Sequence, residues 1–122
     1  MILILGGAWQ GKLTGAASHY PVEPVFDLED GWPVAPVRCC CHLEALTRAA
    51  SDGGETAQQV LDRLLPLVRE AVVISREVGS GVVPLDAGER RWREVHGAVL
   101  QGLAAQAEQV SRIFCGLEER LK

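Results

Sequence analysis

The chain begins with a short apolar run that leads directly into a glycine-rich turn. Residues 1–5 are wholly apolar, and the spacing Gly6-x-x-x-x-Gly11-Lys12 follows at once. A strand, a loop and a helix from near Lys12 are the simplest structure for this order. Glycines at this spacing let backbone N–H groups curl around phosphate oxygens, and the lysine reaches the outer phosphates. The N-terminal sequence therefore predicts a phosphate-binding loop at the end of a strand.

This loop departs from the usual phosphate-loop pattern at one position. A serine or threonine normally follows the lysine and its hydroxyl coordinates magnesium, whereas this chain has Leu13. Because leucine cannot coordinate a metal, magnesium would be held by water, by the nucleotide or by the neighbouring Thr14. The phosphate cradle can thus persist without the usual catalytic geometry. A plain strand-to-helix turn is the alternative interpretation.

The size and charge of the chain limit its class. Its 122 residues are expected to form one domain, 1–122, and the formal net charge is −4. An acidic chain gives no support to binding of nucleic acid or of an acidic membrane surface. No apolar run approaches the length of a membrane span, and residues 1–5 are too few for a signal peptide. We therefore expect a cytoplasmic protein without a membrane span.

Beyond the loop, short apolar runs alternate with segments of helical periodicity. The runs predict an edge strand around 25–28 and further strands over 37–41, 71–74 and 110–116. Helices are predicted from residue 43, from about residue 55, and from a capping pair of Asp86 and Glu89, while Pro66 should bend the second helix or end it early. The charged tail 117–122 alternates only weakly. This order predicts an α/β fold, a P-loop NTPase-like three-layer sandwich with a mainly parallel sheet.

Polar residues follow two of the predicted strands. His42 comes after the strand that holds three consecutive cysteines, and Arg76 and Glu77 come after the strand 71–74. Ligands bind at the carboxyl ends of strands in such sheets, so all three are candidate ligand contacts, although a lone histidine can equally be structural. Neighbouring strand residues point to opposite faces, so the cysteines cannot supply a tetrahedral metal site. We interpret them as buried, reduced thiols and predict no metal-ligand set.

Several blocks of the sequence are similar to one enzyme family. Residues 76–84 (REVGSGVVP), 89–97 (ERRWREVHG), 101–104 (QGLA) and 110–117 resemble the C-terminal third of the adenosylcobinamide kinase/adenosylcobinamide-phosphate guanylyltransferase family. The opening GGA and the GK of the phosphate loop resemble the start of the same family. Both ends of the chain therefore match one family, and the C-terminal blocks are the more specific part.

The resemblance implies a P-loop α/β sheet, usually assembled as a trimer, and thus a homo-oligomer. It implies phosphorylation of the aminopropanol arm of adenosylcobinamide by a nucleoside triphosphate, ATP or GTP. Transfer of GMP from GTP onto that phosphate follows, through a guanylylated histidine. Nucleotide and a corrinoid are the implied partners. The candidate nucleotide-binding residues are Gly6, Gly7, Ala8, Gly11, Lys12, Leu13, Thr14, Arg76 and Gly79, and the candidate catalytic residues are Lys12, His42 and Glu77.

The chain also departs from this family pattern. The middle segment, which carries the guanylylated histidine in the full-length enzymes, is far shorter here, and no motif places that histidine. His42 is the best substitute, followed by His19 and then His96. A cysteine, Cys39 or Cys40, replaces an acidic residue expected to help hold magnesium. Leu13, Arg76 and Leu100 also replace the residues usual in the family, although compact relatives share the QGKL opening and the His42-Leu43 pair.

Two functions of different classes are compatible with these features. One is a compact cobinamide kinase/guanylyltransferase that retains one or both activities. The alternative is a catalytically inactive nucleotide-binding or scaffold protein of the same fold. A carboxylate that folds back near Lys12 to replace the absent magnesium ligands would favour the enzyme, and the candidates for that position are Asp27, Glu29, Asp30 and Glu44.

Overall fold

A six-stranded sheet organises the fold in the computed structural model, which describes residues 1–6, 24–77 and 86–122. The strands are β1 (Ile2–Gly6), β2 (Phe26–Asp27), β3 (Cys39–Cys41), β4 (Val72–Arg76), β5 (Gln109–Phe114) and β6 (Leu117–Arg120). Their order across the sheet is β2-β3-β4-β1-β5-β6. The first five strands pair in parallel, and β6 is antiparallel to β5.

Strand β1 lies at the centre of the sheet, between β4 and β5. In register, Leu3 pairs with Val73 of β4 and with Val110 of β5. Leu3 and Ile4 point to opposite faces and are both essentially inaccessible to solvent. A continuous apolar run without alternation is what a parallel strand buried on both faces requires. The strand predicted from the first residues is therefore confirmed.

Three helices pack on one face of the sheet. They are α1 (Leu43–Asp52), α2 (Ala57–Val68) and α3 (Ala87–Gln106), and a short 3-10 helix covers Leu28–Asp30. Apolar side chains from all three helices join one strand face in a single core, with Leu43, Leu64 and Leu103 fully buried. On the opposite face, strand side chains form a second buried cluster, whose members are Ile4, Cys39, Val72, Ile74 and Ile113.

The helix starts are fixed by local hydrogen bonds. Asp86 caps α3 as predicted, because its carboxylate accepts from the Glu89 N–H at 3.0 Å. Thr56 opens α2 through a capping box in which Thr56 and Gln59 each accept from the other's backbone N–H. Such caps satisfy N–H groups that have no partner within the helix. The prediction did not use the capping pattern Thr56-x-x-Gln59. Helix α2 therefore begins at Ala57, two residues later than the predicted start near residue 55.

Two other expectations are corrected by the structure. Helix α2 does not end at Pro66 but continues two residues beyond it to Val68, because the buried side chains of Leu64 and Val68 hold this turn against the core in spite of the lost hydrogen bond. The last predicted strand ends at Phe114, where Cys115 and Gly116 have φ of 52° and 76° and form a two-residue turn. The charged tail then returns as β6, with Leu117 opposite Phe114. Positive φ at both turn residues is the geometry that joins two antiparallel strands most tightly.

The consecutive cysteines occupy β3 as expected. Cys39 and Cys40 are fully buried on opposite faces, Cys41 is half-buried, and none forms a disulfide. Burial raises the pKa of the Cys39 thiol to about 11 and that of the Cys40 thiol to about 12. Both side chains therefore behave as small apolar core residues.

The fold-class prediction is confirmed: the chain is an α/β domain of the P-loop NTPase-like type, with a mainly parallel sheet flanked by helices. The helix predicted from near Lys12 lies outside the described residues. Among the helices that are described, none combines the length and apolar character needed to cross a bilayer.

Helix α3 lies close against Leu61 of α2 at Gly102, which gives a stability prediction. A Cβ at Gly102 would lie 2.5 Å from a terminal carbon of Leu61, whereas a Cβ at Gly97 would meet no atom within 4 Å. Gly97→Ala should raise the free energy of unfolding by up to about 1 kcal/mol through helix propensity. Gly102→Ala has the same gain in helix propensity but should lower the free energy of unfolding by up to about 2 kcal/mol net, because overpacking costs roughly 1–3 kcal/mol. Urea unfolding of both variants measures this; equal stabilisation would contradict the close contact.

Candidate functional site

The carboxyl ends of the five parallel strands lie at one edge of the sheet. Gly6 at the end of β1 pairs in register with Arg76 at the end of β4. The Glu77 N–H donates to the Gly6 carbonyl at 3.1 Å, which extends the pairing one residue beyond β4. Gly6 and Glu77 therefore lie side by side at this edge. This is the edge at which ligands bind in sheets of this kind.

The predicted site residues divide into two groups. Gly6, His42, Arg76 and Glu77 are described, and all four lie at the carboxyl edge, at the ends of β1, β3 and β4. The remaining candidates lie outside the described residues, and their roles stay predictions: Gly7, Ala8, Gly11, Lys12, Leu13, Thr14 and Gly79. The alternative histidine His19 is also outside, whereas His96 is described and has a different environment from His42.

His42 forms an ion pair with Asp27 at this edge. The His42 Nδ1 atom lies 2.9 Å from the Asp27 carboxylate oxygen Oδ1 and 3.6 Å from the sulfur of Cys41. Parallel pairing of Asp27 with Cys41 brings the ends of β2 and β3 together. His42 itself has φ of 61° and precedes the first residue of α1, and its ring makes no capping bond to that helix. The imidazole is therefore available to the carboxylate.

Hydrogen bonding shifts the pKa of both groups in this pair. The Glu29 N–H donates to Asp27 Oδ1 at 2.9 Å, and together with the His42 bond it lowers the pKa of the Asp27 carboxyl. The bond to Asp27 raises the pKa of His42, and the charges of Asp27, Glu29 and Glu44 act in the same direction. With Asp27 ionised, Nδ1 carries the proton that it shares, so in the neutral ring the lone pair is on Nε2.

Glu44 completes the sheet where β3 stops. Alternate N–H groups of β4 point toward β3, as in the bond from Val72 N–H to the Arg38 carbonyl. Arg76 N–H has the same direction, but the chain has already turned into α1 at that level. The Glu44 carboxylate takes the place of the missing strand carbonyl, with Oε2 3.1 Å from the Arg76 nitrogen and 3.4 Å from the Ser75 hydroxyl. A carboxylate at a helix N-terminus is also stabilised by the helix dipole.

His96 lies beneath this edge as a buried link between α3, β4 and α1. Its Nε2 is 2.9 Å from the Arg76 carbonyl oxygen, and its Nδ1 is 2.8 Å from the Thr47 hydroxyl. Because a carbonyl can only accept, Nε2 carries the proton and Thr47 donates to Nδ1. Trp92 N–H donates in turn to the Thr47 oxygen at 3.1 Å and to the Glu44 carbonyl at 3.2 Å. Burial lowers the pKa of His96, which keeps the ring neutral.

Glu77 is paired with the neighbouring strand. Its carboxylate lies 3.4 Å from the Arg112 guanidinium on β5, and both side chains are about two-fifths exposed. An exposed pair of this kind contributes little to stability, but it directs the Glu77 side chain toward β5.

Sequence reasoning missed the buried part of this site. His96 was placed last among the histidines, yet it is fully buried with both ring nitrogens bonded. Ser75 and Thr47, which bond to it, were not singled out. One signal was available: a histidine in the buried stripe of a helix needs polar partners from adjacent elements.

The His96 network should determine stability more than surface chemistry. His96→Leu keeps a similar volume but removes one hydrogen bond from the Arg76 carbonyl and one from the Thr47 hydroxyl, which keep the Ser75 hydroxyl and the Glu44 carbonyl as partners at 3.1 Å each. We expect the free energy of unfolding to fall by about 1–3 kcal/mol, the cost of two buried hydrogen bonds. Glu94→Ala, at an exposed position of the same helix, is the matched control and should stay within about 0.5 kcal/mol of wild type. Denaturant unfolding of the three proteins measures the difference.

The same comparison has a pH dependence of known sign. The unfolded chain binds a proton at His96 near the ordinary pKa of about 6.5, whereas the folded protein does so only at lower pH. The contribution of His96 to wild-type stability should therefore decrease as pH falls below about 6.5, whereas His42, whose pKa is raised, contributes with the opposite sign in both proteins. The difference in free energy of unfolding between wild type and His96→Leu should become smaller from about pH 7.5 to about pH 5.5, because the variant lacks this proton linkage. A constant margin would mean that His96 is not buried in its neutral form.

Comparison with known proteins gives the family. The family model for cobinamide kinase / cobinamide phosphate guanyltransferase matches residues 39–121, from β3 to the end of β6. The bifunctional adenosylcobalamin biosynthesis protein CobU of Salmonella typhimurium strain LT2 is 36% identical over 53 residues, 43% of this chain and 29% of that protein. The aligned segment is thus less than a third of that relative's length. The family match includes His42, Glu44, Arg76 and His96 and covers more than half of the chain. The chain therefore belongs to the cobinamide kinase/cobinamide phosphate guanylyltransferase family.

Proposed function

We propose that this chain is a compact nucleotide enzyme that phosphorylates adenosylcobinamide, transfers GMP from GTP to adenosylcobinamide phosphate, or does both. The observation that carries the proposal is the common edge of β1, β3 and β4. There the Gly6 carbonyl accepts from Glu77, and the Asp27–His42 pair lies at the end of the neighbouring strands. Family membership supports the substrate class.

The nucleotide phosphates would bind where β1 ends. Gly6 is the first residue of the predicted phosphate loop, and backbone N–H groups of Gly7, Ala8 and Gly11 would surround phosphate oxygens. Lys12 would contact the outer phosphates. The exposed guanidinium of Arg76, in register with Gly6, supplies a further cation at this edge. Phosphoryl transfer depends mainly on such positioned positive charge.

The guanylyl transfer that we propose uses His42 as the nucleophile. Its Nε2 lone pair attacks the α-phosphorus of GTP, the bond from that phosphorus to the bridging oxygen breaks, and the electron pair leaves with pyrophosphate. The new N–P bond makes the ring cationic, and Asp27 stabilises this charge through Nδ1–H. Attack by a phosphate oxygen of adenosylcobinamide phosphate then forms the diphosphate and returns the electron pair to Nε2.

Magnesium that accompanies the nucleotide has one described ligand that fits. Glu44 places its carboxylate at the end of β4, where it accepts from the Arg76 N–H. Arg76 in turn pairs in register with Gly6. Carboxylate oxygen is the donor that Mg²⁺ prefers, so Glu44 and the phosphate oxygens would hold the ion. Magnesium bound there would neutralise charge on the transferring phosphate. Glu77, held by Arg112, completes the acidic groups at this edge.

An inactive nucleotide-binding or scaffold protein is the second candidate. Leu13 in the phosphate loop and the cysteines at the end of β3 stand where the family has a magnesium-binding hydroxyl and an acidic residue. Nucleotide binding that is indifferent to Mg²⁺ and is followed by no transfer would favour this function. The two candidates thus differ in metal dependence as well as in turnover.

A covalent adduct provides the direct test of the transfer step. Incubation with GTP should add the mass of one GMP to the intact protein, and peptide mapping should place it on His42. His42→Asn should abolish the adduct, because asparagine has no comparable nucleophile, whereas His19→Asn should retain it. An adduct that persists in His42→Asn and disappears in His19→Asn would move the nucleophile to His19. An unmodified wild-type protein would contradict guanylyl transfer.

Nucleotide binding has a separate test. Ligand at about a hundredfold its dissociation constant should stabilise the wild-type protein by about 2.7 kcal/mol, measured as a shift in thermal unfolding. Lys12→Ala should lose most of this stabilisation, because no other residue of the loop carries a positive charge. Arg91→Ala, which removes one exposed positive charge from α3, is the matched control and should respond as wild type does. Equal stabilisation of Lys12→Ala and wild type would exclude the phosphate-loop assignment.

A further inference from the structure

Three chemically different metal-binding groups meet at the ends of β2 and β3. The carboxylate of Asp27, the thiol of Cys41 and the imidazole of His42 place one donor atom each within 4.8 Å of one another. Parallel register puts Asp27 opposite Cys41, and the positive φ of His42 turns its imidazole toward the same point. The convergence therefore follows from sheet pairing and one backbone turn.

The spacing of these atoms is close to that of a tetrahedral metal site. Bond lengths of about 2.3 Å to sulfur and about 2.0–2.1 Å to nitrogen or oxygen put ligand atoms about 3.6 Å (S to N) and about 3.3 Å (N to O) apart. The sulfur of Cys41 is 3.6 Å from His42 Nδ1, and Asp27 Oδ1 is 2.9 Å from the same nitrogen. Metal binding would lengthen the Asp27–His42 distance by a few tenths of an ångström and would bring the Asp27 oxygen and the Cys41 sulfur, now within 4.8 Å of each other, to about 3.6 Å.

Accessibility and donor chemistry define the kind of ion. His42 is 46% exposed and Asp27 is 37% exposed, so an ion can enter from solvent and keep one position for water. Three protein ligands with an open fourth position resemble an accessible rather than a closed zinc site. A thiolate favours borderline or soft ions and disfavours Mg²⁺ and Ca²⁺. The cluster is therefore distinct in its chemistry from the oxygen ligands offered by Glu44.

We propose that Asp27, Cys41 and His42 bind a borderline divalent transition-metal ion, with Zn²⁺ as the type case, through a carboxylate oxygen, a thiolate sulfur and Nδ1. Binding displaces the thiol proton of Cys41, and the single proton of the neutral His42 ring moves from Nδ1 to Nε2 by exchange with water, which frees the Nδ1 lone pair for the metal. In the metal-bound neutral ring the proton is therefore on Nε2. That nitrogen then has no lone pair for attack on phosphorus.

The metal site thus acts on the proposed guanylyl transfer, and this consequence depends on that proposed function. Zn²⁺ and guanylylation compete for the same imidazole, one through Nδ1 and the other through Nε2. Metal binding itself does not depend on the transfer reaction. The two ideas can therefore fail independently.

Metal binding is tested on the full chain with Co²⁺ and Zn²⁺. Co²⁺ should give a thiolate-to-cobalt charge-transfer band in the near ultraviolet, and Zn²⁺ should displace it. Cys41→Ser should lose the band and weaken Zn²⁺ binding by at least about tenfold to a hundredfold, the range that loss of a supporting group behind a ligand already costs. Cys115→Ser, at an exposed cysteine in the β5–β6 turn, is the matched control and should bind as wild type does. No band in wild type, or a band that survives in Cys41→Ser, overturns the proposal.

Alkylation of the wild-type protein provides a measurement that needs no variant. Zn²⁺ should slow iodoacetamide modification of Cys41, mapped by peptide mass, and leave Cys115 unaffected; equal rates with and without Zn²⁺ would overturn the site. Addition of Zn²⁺ before GTP should reduce the adduct on His42, and chelation should restore it. An adduct that ignores Zn²⁺ counts against the metal site, whereas metal binding without any adduct counts against guanylyl transfer alone.

Discussion

The parallel register of β1 with β4 is the constraint on which the rest of the structure depends. Because Gly6 pairs in register with Arg76, β1 and β4 end side by side at the same edge of the sheet. The Glu77 N–H bond to the Gly6 carbonyl fixes this relation one residue further. A slip of one residue would exchange the faces of Leu3 and Ile4, so that each side chain would have to fit the packing of the opposite buried face. Core burial and the position of the candidate site are thus fixed by the same hydrogen bonds.

A polar network carries that register into the helices. The Glu44 carboxylate accepts from the Arg76 N–H in place of a strand carbonyl, and His96 donates its Nε2–H to the Arg76 carbonyl. The backbone N–H and carbonyl of Arg76 are thus held by α1 and by α3, respectively. Thr47 and Trp92 then join those helices to each other. Because these groups are largely buried, each has a high cost if left unpaired, and the network specifies how the helices sit on the sheet.

Much of the fold was accessible from sequence, because apolar runs and turn residues report local structure directly. Residues 1–5 and 71–74 read as central strands since both of their faces are apolar, and Asp86 with Glu89 gave the start of α3. The tail beyond Gly116 was not recognised as β6, because an exposed edge strand needs no apolar face. Pro66 did not end α2 because Leu64 and Val68 pack on the core on either side of it, and a local pattern does not show that packing. His42 could be placed at a strand end, but its pairing with Asp27 depends on β2–β3 register, which no local pattern contains.

The short length of β3 has a consequence for the chemistry of the whole edge. The strand ends at Cys41 while β4 continues to Arg76, so the edge is stepped rather than straight. On the lower level lie sulfur and imidazole donors, and on the upper level lie the carboxylate of Glu44 and the start of the phosphate loop. The two proposed sites would in this way separate ions by hardness, with oxygen-seeking cations beside the nucleotide and thiophilic ones a strand away. The stagger of β3 and β4 would thereby give adjacent surfaces different preferences for the ions of the cell.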